Sequence, residues 1–321
     1  MGIARIPLLV WLAAAVVSVA AAFSKGLLQP TQYRNRALIP NQQSSSLLAL
    51  RAYADDSAPP TPKTTTPLLS TKAKMGVLLL NLGGPERIED VEGFLYNLFA
   101  DPDIIRLPSY LAFAQKPLAF TIAKSRAPKS SKNYESIGGG SPIVKYTSAQ
   151  ADLIRDAILR KLVDSSMGDV VGDVKCYFAM RYWNPYTEEV LDQIQRDGID
   201  SLVIVPLYPQ YSISTSGSSL KLLQEIFSRF PDQWGSDKIM HTVVPSWYHR
   251  PGYITAMASL VVKEVLAYSK EEMREGVHVL FSAHGVPQSY IASGDPYQVS
   301  SRGVGTVTEA KSTSRNIQYV S

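Results

Sequence analysis

The chemistry open to this chain rests on few residues, among them four histidines, a single cysteine and cations set beside aromatic rings. The sharpest is His284. It closes the apolar run 277–285, VHVLFSAHG, which predicts a buried parallel strand delivering the imidazole to its carboxyl end. In open α/β sheets, ligands bind in the crevice beyond that end. Imidazole titrates near physiological pH, so a histidine placed there can accept a proton or contact a metal. A blander reading stands beside it, since many histidines at strand ends only donate to a neighbouring carbonyl. Arg181-Tyr182-Trp183 follows another strand-like run. A cation next to rings suits a planar, acidic ligand, or the two rings simply cover the sheet edge.

Other chemistries are poorly supplied. Cys176, the only cysteine, excludes an internal disulfide and any cysteine-rich metal site, and its apolar neighbours VKCYFAM predict a packing role. The net charge of +4 is unevenly spread: residues 1–75 carry eight Lys and Arg against two Asp, and the rest 24 against 26 Asp and Glu. A nucleic-acid partner is set aside, because phosphate neutralisation needs a clustered basic face. Gly83 and Gly84 lie between a strand and a helix, but the pattern is not GxGxxG and lacks the P-loop lysine, so the nucleotide reading is weak.

Residues 1–22 read as a signal-like segment, with Arg5 ahead of the charge-free run 6–24 and small residues at Ala20 and Ala22. Residues 23–74 then change to a basic, Ser/Thr-rich, transit-like leader. This two-part layout, with Phe23 at the junction, resembles plastid targeting through extra membranes. A membrane anchor or a mitochondrial presequence is the alternative.

The elements that must position these residues follow in order. MGVLLLNL (75–82) predicts the first strand, and Ile88, Val91, Leu95 and Leu98 recur at helical spacing after it. Residues 101–146 show little regular pattern beyond an apolar helix over 108–123, followed by Arg126, Tyr134 and the turn Gly138-Gly139-Gly140-Ser141-Pro142. Such a segment could form one lip of a cleft. Thr147-x-x-Gln150 reads as a capping box opening the next helix, and Thr187 as the cap of a helix ending at Gly198. Strands are predicted at 174–180, 202–207 and 239–244, with a helix at 253–268. Strands alternating with helices imply a doubly wound parallel sheet.

Taken together, LLLNLGGPE near residue 80, IGGGSP near 140, YPQYSISTSGSS near 212, FSAHGVP and GDPY resemble ferrochelatase. The likeness covers residues 75–297. It implies a Rossmann-like chelatase fold that inserts ferrous iron into protoporphyrin IX to form protoheme, with both as substrates and no permanently bound cofactor. Metal insertion requires removal of two pyrrole protons and bending of a flat ring, which a base beside the macrocycle and a cleft that grips a saddle shape would favour. By the resemblance, His284 is the proton acceptor and transient iron contact. Arg126, Tyr134 and Ser141 fall at porphyrin-contacting positions, the arginine and serine for propionates and the tyrosine for a hydroxyl or a stack. Arg181 and Leu79 are further wall candidates. His241, His249 and His278 match no functional position.

Two departures qualify the likeness. Ile213 stands where animal members place a cluster-binding cysteine, so no iron–sulfur cluster is expected. The family also continues beyond Gly294-Asp295-Pro296-Tyr297 with a second, similar half, which supplies the facing wall and an acidic metal partner. Residues 298–321 form instead a divergent polar tail without strand or helix period, so only the first half is expected to be complete. The alternative expectation is therefore a catalytically incomplete porphyrin-binding fragment or splice product. Leu107, Leu111 and Phe113 on the lip predict peripheral membrane association.

Overall fold

The computed structural model describes residues 72–105, 107–164, 171–301, 303 and 317–320. The signal-like and transit-like segments, 1–22 and 23–74, lie outside them except for residues 72–74. Four parallel strands form the main sheet: β1 (Ala73–Asn81), β2 (Val171–Met180), β3 (Ser201–Pro206) and β4 (Met240–Val243), in the order β2-β1-β3-β4. Each return crossover carries helix, as a parallel sheet demands.

The hydrophobic run of β1 sorts itself by the two-residue period of a strand. Met75, Val77 and Leu79 face one side, where Ala151, Ile154 and Ile158 of α3 (Ile143–Val163) and Tyr253 and Ile254 of α7 (Pro251–Val265) cover them. Leu78 and Leu80 face the other, against Val190, Leu191 and Ile194 of α4 (Thr187–Arg196) and Leu223 of α5 (Ser218–Arg229). Trp234 of α6 (Pro231–Trp234) joins this second layer. Burial on both faces is why β1 reads as continuous apolar sequence, and the doubly wound expectation holds.

A third apolar cluster lies off the sheet. Val91, Phe94 and Leu95 of α1 (Val91–Ala100) pack on Ala123 and Ala127 of α2 (Gln115–Glu135), and Tyr182 joins them from just beyond β2. α1 lies where the helical spacing placed it, whereas α2 and the 3-10 turn Ser109–Ala114 fill much of 101–146, the region expected to be largely irregular. The expected apolar helix ends too early: α2 runs through Arg126 and Tyr134, with Pro128 inside it. A four-residue apolar spacing, Ala119-Ala123-Ala127, is buried along its length.

Two helix starts shift. α3 begins at Ile143, four residues before the expected cap, because the fully buried Thr147 hydroxyl instead accepts from Asn81 Nδ2 at 3.2 Å. For α4 the cap is Tyr186, whose amide donates to the Glu189 carboxylate at 3.1 Å, and Thr187 is the first helical residue.

The larger correction concerns the strand before His284. After the short helix α8 (Lys270–Glu275), β5 spans only Val277–Leu280 and pairs in parallel with β6 (Ile317–Val320) in a separate two-stranded sheet. Its burial is broken, Leu280 being 69% exposed. A parallel strand is buried when strands flank both edges and helices cover both faces, and among the described residues β6 alone flanks this one. β6 also departs from the patternless tail expected there, since four residues suffice to pair once a partner edge is free.

Candidate functional site

The loops that leave the carboxyl ends of the strands are stitched together in pairs. The loop after β1 meets the glycine-rich turn after α2: the Ser141 amide donates to the Pro85 carbonyl at 2.7 Å. A methyl group on Gly84 would lie 2.6 Å from Ser141 Oγ, and one on Gly140 would collide with the Glu86 carbonyl. Glycine is required at Gly140 because two backbones touch there, and at Gly84 because the Ser141 side chain takes the space. Ser141 Oγ accepts from the Ile143 amide at 3.3 Å, which leaves its hydroxyl proton free to donate.

Beyond β2 sits a charged knot. Asp101, at the end of α1, is 6% exposed, and its Oδ2 accepts from Arg181 Nη2 at 2.9 Å, the Tyr182 hydroxyl at 2.7 Å and the Ser218 hydroxyl at 2.9 Å. Oδ1 accepts from the Asp103 amide at 2.8 Å. Burial alone would raise the Asp101 carboxyl, but the Asp103 amide, the Tyr182 hydroxyl, the Arg181 charge and the Ser218 hydroxyl outweigh it and hold it below the ordinary carboxylate range. Burial pushes the Tyr182 hydroxyl well up, so it remains a donor. Arg181 Nε donates to Ser218 Oγ at 3.0 Å, and the guanidinium lies 5.2 Å from the Tyr182 ring centre. The cation beside rings at the end of β2 is therefore matched internally by Asp101 rather than left open for an acidic ligand.

A third pair joins the loop after β3 to the segment following His284. Asp295 is buried; its Oδ2 accepts from the Ser212 hydroxyl and the Ile213 amide, each at 2.8 Å, and its Oδ1 from the Tyr297 amide at 2.9 Å. The Tyr290 hydroxyl, on the short helix α9 (Gln288–Ala292), donates to the Asp103 carbonyl at 2.8 Å. Residues 281–287 carry no regular structure, and His284 among them is exposed. Its imidazole is thus presented on an open stretch between β5 and a helix tied to the main body, not at the end of a buried strand.

The remaining candidates divide. Arg126 is exposed on α2, with its guanidinium 5.3 Å from the Phe99 ring centre. Tyr134 is half-buried on the same helix, packed on the third cluster, where burial raises its hydroxyl pKa. Leu79 has no exposed surface and serves the core under α3, apart from the others. Asp101, Ser212, Ser218 and Asp295 organise these loops, and sequence reasoning did not single them out. Asp295 stood inside the quoted GDPY motif, whereas Asp101 carries no local signal because its partners lie 80 or more residues away. Among the described residues no group of three or more His, Cys, Asp or Glu could hold a metal ion.

Comparison with known proteins agrees with the stitched motifs. A family model described as Ferrochelatase matches residues 74–320. The chain is 54% identical over 234 residues to Ferrochelatase-2, chloroplastic, of Oryza sativa subsp. indica, covering 73% of this chain and 42% of that protein. Against the protein of the same name from Arabidopsis thaliana it is 53% identical over 232 residues, 72% of this chain and 42% of the other. Against the Ferrochelatase of Synechococcus elongatus it is 54% identical over 226 residues, 70% and 54% respectively. The chain spans about half the length of the curated relatives it matches.

Proposed function

Because the chain belongs to the ferrochelatase family, we propose that it inserts ferrous iron into protoporphyrin IX to form protoheme, with His284 as proton acceptor and transient metal contact. The observation that carries this reading is the double tether of the His284 stretch. Tyr290 and Asp295 tie it to the loops at Asp103 and Ser212, beyond the carboxyl end of the sheet, where ligands of open α/β folds bind. An exposed imidazole there can take a pyrrole proton and pass it to water.

The other residues bind and orient. Arg126 has one guanidinium face against Phe99 and its edge open to a propionate carboxylate. The Ser141 hydroxyl proton is available for the second propionate. Tyr134, kept protonated by burial, offers a hydroxyl donor or a ring face to the macrocycle. Arg181, neutralised by Asp101, contributes to the wall rather than to charge recognition. Iron enters as substrate; no permanently bound cofactor and no iron–sulfur cluster belong to this reading, Ile213 occupying the place of a cluster-binding cysteine in animal members.

We place the protein in the plastid, on the names of the two plant relatives and the two-part composition of residues 1–74. Peripheral membrane contact through the lip is supported by Tyr110 and Phe113, 74% and 80% exposed beside the half-buried Leu107 and Leu111. No helix among the described residues is long and apolar enough to cross a membrane.

The test uses the full chain with protoporphyrin and ferrous iron under anaerobic conditions. Protoheme formation that falls by about 10²–10⁴-fold in His284→Ala, with porphyrin fluorescence quenching retained, supports the assignment. Quenching without protoheme from the parent chain would replace it with porphyrin binding alone.

A further inference from the structure

Resting on the reading above, we propose that Asp295 is a positioning residue: its carboxylate clasps the loop after β3 and thereby fixes where the His284 stretch lies. The argument starts from connectivity. Residues 281–287 belong to no strand or helix, and β5 pairs only with β6 among the described residues, so sheet register does not set the place of His284. The attachments that the structure shows nearest to it lie on its carboxyl side. There, α9 leads through Gly294 (φ +88) into Asp295, a turn closed by the Asp295 amide on the Tyr290 carbonyl at 3.0 Å.

Both oxygens of the Asp295 carboxylate are then engaged. Two donors from the Ser212–Ile213 step converge on Oδ2, while the Tyr297 amide on Oδ1 holds the carboxylate in its own turn. Ser212 is 2% exposed and Asp295 5%, so these bonds compete little with water. Tyr290, 8% exposed, is the second point of attachment through the Asp103 carbonyl. Asp103 adjoins the Asp101 knot, which is anchored to Arg181 and Ser218. Two points of attachment, one on the loop after β3 and one on the loop after α1, leave α9 no free rotation. His284 stands four residues before α9 and inherits that constraint. Loss of the clasp frees the stretch without touching the porphyrin-facing residues of α2.

The full chain is compared with Asp295→Ala and with the milder Ser212→Ala, which removes one of the three donors. Hydrogen–deuterium exchange without porphyrin is the first readout, because local opening raises exchange in the segment it frees and nowhere else. We expect exchange over residues 281–297 to rise about tenfold or more in Asp295→Ala and less in Ser212→Ala, with the amides of β1 and β3 unchanged. In the metal-insertion assay kcat should fall on the order of 10²-fold while KM for porphyrin stays within about threefold, as misplacement of a reacting group predicts. Unchanged exchange over 281–297, or a rise spread equally through β1 and β3, overturns the proposal. If the parent chain forms no protoheme, the functional reading fails by itself and the exchange result still decides the clasp.

Discussion

Replacing Asp101 by Asn probes the knot beyond β2 with little change of shape. Three donors meet at Oδ2 and one at Oδ1. The amide must therefore turn its NH2 toward at least one donor. The best rotamer keeps the carbonyl at Oδ2 and sets the NH2 against the Asp103 amide, losing that bond, worth about 1 kcal/mol. It also replaces the charge-assisted Arg181 bond with a neutral one, a further loss of about 1.5–3 kcal/mol in a buried setting. Arg181 keeps 23% of its side chain exposed, which moves the total toward the lower end, about 3 kcal/mol. For a body of this size that is roughly 6–12 °C in Tm.

The pH dependence separates charge from shape. The Asp101 carboxyl is held below its ordinary value of 3.8, so its contribution to stability is complete above that value and is lost as pH falls through the lower folded value. Urea unfolding of parent and Asp101→Asn should differ by the full amount at neutral pH. The gap should begin to narrow only as pH falls through about 3.8 and should close as pH falls through the lower folded value, where the parent's carboxyl becomes protonated and resembles the amide. A Tm within about 1 °C of the parent at neutral pH, or a gap that persists unchanged in acid, would refute the reasoning.

Gly140→Ala drives a methyl group into the Glu86 carbonyl, and because that neighbour is backbone it should cost about 1–3 kcal/mol, read as a lowered urea midpoint. Burial pushes the Cys176 thiol up to about 12, so alkylation of the folded chain at pH 8 should be slow and should reach the rate of an ordinary thiol only in denaturant; rapid labelling of the native chain would contradict the packing. Tyr110→Ser with Phe113→Ser should lower cosedimentation with lipid vesicles at least severalfold without altering Tm, since both rings are largely exposed; equal cosedimentation would remove the lip from the membrane proposal.

Much of the main sheet could be read in advance. β1 and β3 declare themselves as short continuous apolar runs, because both faces of the sheet are covered, and α1 through apolar residues that recur at helical spacing. The stretch over α2 was less legible: it buries small alanines, has a polar exterior and continues past Pro128, so its apolar stripe is faint. Thr147 showed the opposite failure, a strong local signal overridden when its hydroxyl was engaged by Asn81.

By itself the sequence determined the alternation of strand and helix, the glycine-rich turns at Gly84 and Gly140, and the family, all properties that short segments carry without their partners. Tertiary structure alone decided that Arg181 is neutralised by Asp101, that Leu79 belongs to the core, and that His284 sits on an open stretch held by Asp295 and Tyr290. The physical reason is range. Hydrogen bonds between residues separated by 80 to 187 positions leave no periodic trace in the chain, and they exist only once the sheet has brought its loops to one end.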